Sequence, residues 1–216
     1  MPKGSNYRVL LVGMADSVHL ARWIEQFRDQ QLEIHLISSS PHRRVHAKIL
    51  EMLSDKSSPL LVSMGFLSKY FSLPLWIADR FLSDWLRGIL ICTEILRSKP
   101  DFVHVNELQN AGYATRRAYQ LLPKSLHPQL LITNYGSELV WFQKYKSHRK
   151  RLEALLAVSQ AFSAECKRDY DLAQQLGFKG VIFPLMPVAG GIDPPERLSE
   201  DRTIISIKGY QNKWGR

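Results

Sequence analysis

The sequence predicts an α/β fold, a doubly wound, mostly parallel sheet of about seven strands. Three observations predict it. Arg8–Gly13 (RVLLVG) is a short continuous apolar run, as a strand buried on both faces requires. A helical pattern and a second apolar run, Glu33–Ser38 (EIHLIS), follow, which makes a β-α-β unit with a right-handed crossover. Runs of the same kind then recur between helical segments at Leu60–Met64, Asp101–Val105, Leu130–Asn134, Ala154–Ser159 and Gly180–Phe183. The expectation is a Rossmann-like domain.

In the first loop, Asp16 or Ser17 can cap a helix running to about Gln31, on which Leu20, Trp23, Ile24 and Phe27 share one face. Asp16 stays open between helix cap and ligand contact, and His19 reads as a packing or surface residue. Val45–Ser54 is helical in pattern. Leu73–Leu96 carries the clearest helical signal, with Ile77, Phe81, Trp85 and Ile89 repeating every fourth position. Asp79, Arg80, Asp84 and Arg87 form the other face and are spaced for Arg80–Asp84 and Asp84–Arg87 pairs. A membrane-surface helix would carry a basic polar face. This face is charge-balanced, so the apolar stripe is expected to pack on the domain's own sheet. Ala111–Leu122 and Phe162–Leu176 complete the helices, the latter stopping at Gly177. Pro184, Pro187, Gly190, Gly191, Pro194 and Pro195 mark a linker, and Thr203–Lys208 (TIISIK) reads as the first strand of a new unit. The expected division is one domain over 1–185, a Pro/Gly linker over 186–202, and the opening strand of a truncated second domain over 203–216.

A length of 216 residues suits one large domain, or one domain and a fragment. Apolar residues at 45% and charged residues at 23% are ordinary for a folded soluble protein; the net charge of +9 is not, and favours anionic partners. Lys144, Lys146, Arg149, Lys150 and Arg151 form a basic run that fits a solvated helix start or contact with anionic lipid headgroups. Nucleic acid is not expected, since no recognition module with interleaved aromatics accompanies the run. Cys92 and Cys166 form no C-x-x-C pair, which argues against a disulfide scaffold and a zinc site. No secretory pattern opens the chain, and no apolar run approaches the roughly 18 residues of a membrane span. A cytoplasmic protein, with peripheral contact at the inner membrane face, is the expectation. G-x-G-x-x-G and G-x-x-x-x-G-K-[ST] are both missing, so neither a dinucleotide nor a P-loop phosphate site is supported, and no bound cofactor is expected.

With strand order 3-2-1-4-5-6, strands one, four and five lie side by side, and ligands bind at their carboxyl ends where the winding reverses. Three loops then share a rim. The first brings Gly13, Asp16 and Ser17; the second Asn106, Glu107, Gln109 and Asn110; the third Tyr135, Gly136, Ser137 and Glu138. Carboxylates with amides and an aromatic suit a polyhydroxylated ligand such as a sugar. They suit a metal less well, because histidine and thiolate are sparse.

VLLVGMADSVHLARW, PDFVHVNELQNAGY, LLITNYGSELVWF and the linker before TIISIKGYQ, in that order, resemble the amino-terminal half of a GT-B glycosyltransferase of the retaining group 1, family 4, type. The resemblance implies two Rossmann-like domains facing a cleft, with the acceptor on the amino-terminal one and a nucleotide-sugar donor on the other. It implies hexosyltransferase-like transfer to a glycan or lipid-linked acceptor. Glu107 and Glu138 would orient or activate the acceptor hydroxyl, with Asp16 and Asn106 on sugar hydroxyls. Lys208 matches a loop that approaches donor phosphate. Tyr135 and Asn106 stand where many members carry histidine, and His104, inside its strand, reads as a buried core residue. The paired-carboxylate donor motif is missing, so transfer by this polypeptide alone is not expected. The rival reading is a non-catalytic module that binds carbohydrate or an anionic membrane surface.

Overall fold

The computed structural model describes residues 7–40, 44–65, 73–136 and 138–187. Most of the expected linker, the strand Thr203–Lys208 and the side chain of Ser137 lie outside these residues.

Seven parallel strands form one sheet in the order β3-β2-β1-β4-β5-β6-β7. They are β1 (Tyr7–Gly13), β2 (Leu32–Ser38), β3 (Leu60–Met64), β4 (Phe102–Asn106), β5 (Gln129–Thr133), β6 (Ala161–Ser163) and β7 (Val181–Ile182). The sheet reverses its winding between β1 and β4, as the doubly wound expectation requires. Alternation along β1 shows why its apolar run is continuous. Val9 and Leu11 join a core with Leu20 and Ile24 of α1 (Val18–Glu25) and Ile49 of α2 (Ala47–Ser54). Leu10 and Val12 face a second core, with Ile91, Ile95, Ala114, Ala118, Leu152 and Leu155. Both faces of the sheet are therefore buried.

Two expectations about elements need correction. The apolar run Ala154–Ser159 is not a strand; it closes α7 (Lys146–Leu156), whose Leu152, Leu155 and Leu156 are buried at helical spacing. A short apolar run carries no period of its own, so strand and helix end look alike. The sixth strand starts at Ala161, and the helix expected from Phe162 is α8 (Lys167–Gln175), stopped at Gly177 with φ +94°.

The long helix Leu73–Leu96 is instead two helices, α3 (Leu73–Phe81) and α4 (Trp85–Ser98), joined through Ser83 and Asp84 with φ 53° and 68°. Its faces over the first turns are inverted relative to expectation. Asp79, Asp84 and Arg87 are buried, while Phe81 is 86% exposed and Ile77, Leu82 and Ile89 are each close to half exposed. The buried charges account for the inversion. Asp79 Oδ1 accepts the Leu86 and Arg87 N–H groups at 2.7 and 3.3 Å, so a side chain of α3 caps α4. Asp79 Oδ2 takes Arg87 Nε at 2.5 Å. Asp84 takes both Arg87 and Arg151 of α7. The expected Asp84–Arg87 pair forms; Arg80 turns instead to Asn110 Oδ1 at 3.5 Å. Farther along, α4 packs on α5 (Tyr113–Leu121) closely enough that a Cβ on Gly88 would meet Arg117 Cβ at 2.5 Å.

Candidate functional site

The site is built at the carboxyl ends of β1, β4 and β5, where Gly13 pairs with Asn106 and Asn106 with Thr133. Gly13 has no Cβ for a local reason: one would lie 3.2 Å from Asn106 Cβ. Asn106 is buried, and neither its Oδ1 nor its Nδ2 has a partner. Tyr135, just past β5, likewise holds a hydroxyl that is buried without a partner, whereas the Ser39 hydroxyl, just past β2, lies beside the Glu107 carboxylate. Orphaned buried polar groups are rare because each costs its desolvation. Those of Asn106 and Tyr135 lie at neighbouring strand ends. His104 is a different case. Its Nε2 meets Thr133 Oγ1 at 2.7 Å, Trp23 packs its ring at 4.4 Å, and burial lowers its pKa to about 3. It is a neutral core residue, as the sequence suggested.

Glu107 follows β4 with φ 114° and ψ 139°, a region that side chains other than glycine rarely occupy. Three bonds hold it there. Its N–H reaches Thr133 O at 3.3 Å, its carbonyl accepts Gly112 N–H at 3.1 Å, and its Oε1 accepts Ala111 N–H at 3.1 Å. The carboxylate thereby caps a π-helical turn, Leu108–Gly112, that leads into α5. Glu138 opens α6 (Glu138–Phe142), and its Oε2 accepts the N–H groups of Leu108 and Tyr135 at 3.0 and 3.3 Å. The second and third loops are thus clamped through one carboxylate oxygen, with Oε1 outside the clamp. Burial raises both carboxyls. For Glu138 burial comes first and the nearby Glu107 charge second, and its pKa rises to about 8; backbone N–H donation opposes the shift only in part. The Tyr135 phenol is raised as well, by burial and then by the Glu138 and Glu107 charges.

The third loop is set from below by a network that sequence reasoning missed. Asn134 is fully buried; its Oδ1 accepts Leu139 N–H at 3.1 Å, and its Nδ2 donates to Gly136 O and Asp169 Oδ2 at 3.2 and 3.0 Å. Asp169 sits in the first turn of α8, far away in sequence, and Arg168 and Cys166 also hold it. Polar residues directly after a strand were the available signal; the partner was not.

The remaining expected residues divide. Ser17, not Asp16, caps α1 by accepting His19 N–H at 3.2 Å, and Asp16 lies half-buried in the turn before it. Gln109 is half-buried in the π turn. Asn110 is tied to the α3–α4 corner, its carbonyl accepting Arg87 Nη1 at 3.1 Å. Gly136 has φ +52°, and a Cβ there would meet nothing within 4 Å. Ser137 and Lys208 lie outside the described residues. In the basic run, Lys144, Lys146 and Lys150 are exposed, and Arg149 pairs with Glu153 at 2.9 Å. Arg151 is a correction. It is committed to Asp84 and stacks 3.7 Å from the Tyr113 ring centroid, so it ties α7 inward and is not free for an external anion. Among the described residues no three His, Cys, Asp or Glu side chains gather to hold a metal.

The sequence model of one protein family, described as glycosyl transferase 4-like, matches residues 8–165, which spans β1 through β6 and both carboxylates. The chain belongs to this family. No curated protein matches it significantly. Among solved structures, the fold of this glycosyl transferase 4-like chain is similar to a UDP-N-acetylglucosamine 2-epimerase, at 12% identity and TM-score 0.54, covering 83% of this chain and 48% of that one. It is also similar to the UDP-GlcNAc 2-epimerase of Methanocaldococcus jannaschii, solved with UDP-GlcNAc and UDP, at 15% identity and TM-score 0.51, covering 82% and 45%. The chain spans about half the length of these structures, and at such identities the likeness is one of fold. In the glycosyl transferase 4-like chain itself, the β1–β4–β5 rim and its two carboxylates lie wholly inside the matched residues.

Proposed function

We propose that this chain is the acceptor side of a glycosyltransferase. Its rim holds the hydroxyls of a glycan or lipid-linked acceptor, onto which a sugar is moved from a nucleotide-sugar bound outside the rim. The observation that carries the reading is the pairing of Glu107 and Glu138 at the ends of neighbouring strands in a glycosyl transferase 4-like fold. A carboxylate whose pKa lies near 8 is a better proton acceptor than an ordinary one, and it becomes available as the pH rises through about 8. Glu138 Oε2 is fixed by two backbone N–H groups, which leaves Oε1 to orient or deprotonate an acceptor hydroxyl. Glu107 supports it in two ways: its charge raises Glu138, and its cap on the π turn holds Leu108 N–H in place. Asn106 and Tyr135 supply unpartnered groups for sugar hydroxyls, with Ser39, Asp16, Gln109 and Asn110 around them.

The test is transfer, by a two-domain protein in which this chain is joined to a donor domain, from a panel of UDP- and GDP-sugars to the lipid-linked glycans of the cells the protein comes from, with Glu138→Gln and Glu107→Gln. Glu138→Gln is expected to lower kcat by about 10²-fold or more and to remove the rise in rate as pH increases through about 8. If both variants transfer at the parent rate, the carboxylates have no part in the reaction and the reading fails.

A further inference from the structure

Beside the Glu107 carboxylate lies a narrow slot with apolar walls. It sits between the carboxyl ends of β1 and β2 and the helices α4 and α5 that cover them. Val12, Ile37, Ile91 and Ala114 are its buried walls, and Leu90 is half-buried at one side. Its volume is about 10 Å³, which is room for one water or one methyl group. Polar side chains border it toward the rim. The Ser39 hydroxyl and the Asn110 amide line the slot, and both also neighbour Glu107. Arg87 lines it as well, but its guanidinium is turned to Asp79, Asp84 and Asn110 O. A water among five apolar side chains finds few partners, so a methyl group is the better occupant.

We infer that the slot takes the methyl of an acetamido group, and that, with the rim as the acceptor side proposed above, the acceptor is an acetamido sugar. Such a group is apolar at its tip and polar at its stem, the order in which the slot presents its own side chains. The methyl meets Ile37, Ile91 and Ala114, and the amide lies between Ser39 and Asn110. The amide N–H donates to Ser39 Oγ, which keeps its own O–H for Glu107. A sugar with a plain hydroxyl at the same carbon leaves the slot empty. The C-methyl of a 6-deoxy sugar is disfavoured, because it joins the ring directly and brings no polar group to Ser39 and Asn110.

Saturation-transfer NMR on the full chain compares the methyl glycosides of N-acetylglucosamine, N-acetylgalactosamine, glucose, galactose and fucose. The acetyl methyl is expected to receive the strongest saturation. Each acetamido sugar should bind roughly tenfold tighter than its 2-hydroxyl counterpart, from one buried methyl and one amide hydrogen bond. Leu90→Phe, which fills the slot from its half-buried side, should remove that preference while glucoside binding and the circular dichroism spectrum stay unchanged. Leu90→Ala should widen the slot and shift the preference from the N-acetyl to the N-propionyl sugar. Equal binding of acetamido and hydroxyl sugars overturns the inference and leaves the rim a sugar site. A preference that neither Leu90 variant alters overturns it in the same way, and so does strongest saturation on the fucoside C-methyl. If none of the sugars binds, the acceptor reading itself fails and the acetamido slot falls with it.

Discussion

The β1–β4–β5 rim and the α3–α4 corner treat charge in opposite ways. At the rim, Glu107 and Glu138 are held by backbone N–H groups and by no cation at hydrogen-bond distance, so burial raises their pKa values. At the corner, Asp79 and Asp84 are buried just as deeply but are paired with Arg87 and Arg151. An unpaired buried carboxylate is a reactive group and costs stability; a paired one fixes geometry. The rim therefore holds its carboxylates at a cost in stability, and the corner holds its own through ion pairs that fix its shape.

Removing the cation from the corner should erase that difference with the largest effect. Arg87→Ala leaves Asp79 and Asp84 without their shared partner and takes away the bond to Asn110 O. A loss of about 3–5 kcal/mol in urea denaturation is expected. A loss below about 1 kcal/mol would show that the corner is not held by its charges.

The rim should respond in the other direction. Glu138 keeps its proton in the folded chain until about pH 8, whereas the unfolded chain releases it near its ordinary 4.5. The folded state thus binds more protons between these values, and this contribution to stability falls as pH rises through that window. Glu138→Gln stays neutral and can still accept both N–H groups. It should match the parent at the acid end of the window and exceed it above pH 8 by on the order of 3 kcal/mol. Equal stability of the two chains at alkaline pH would mean that Glu138 is not buried against Glu107 as described.

Much of this was legible in the sequence. Short apolar runs separated by helices gave the strands, and the handedness of the crossovers left few orders to choose among. Glu107 and Glu138 were legible because polar residues at strand ends stand out against apolar strands. The corner was misread because periodicity reveals two stripes on a helix without saying which faces inward. Asp79, Asp84 and Arg87 satisfy one another only through the turn at Ser83–Asp84 and through Arg151, and neither is visible in local spacing. Asn134 and Asp169 escaped notice because their bond joins a strand end to a helix start remote in sequence. Gly88 gave no signal either, yet its missing Cβ sets the α4–α5 distance; Gly88→Ala should cost about 1–3 kcal/mol through the clash with Arg117 Cβ.

The smallest expected effect on stability falls on the most conspicuous side chain. Phe81 is 86% exposed, so it has little burial to lose. Phe81→Ser at the end of α3 should change the free energy of unfolding by no more than about 0.5 kcal/mol, measured by urea denaturation. That outcome would mark Phe81 as a surface residue and not a structural one. A drop of about 3–5 kcal/mol, what truncating a buried Phe costs, would show that the ring is already covered in the free protein. The corner would then be an internal seam, and its inverted faces would need no partner at all.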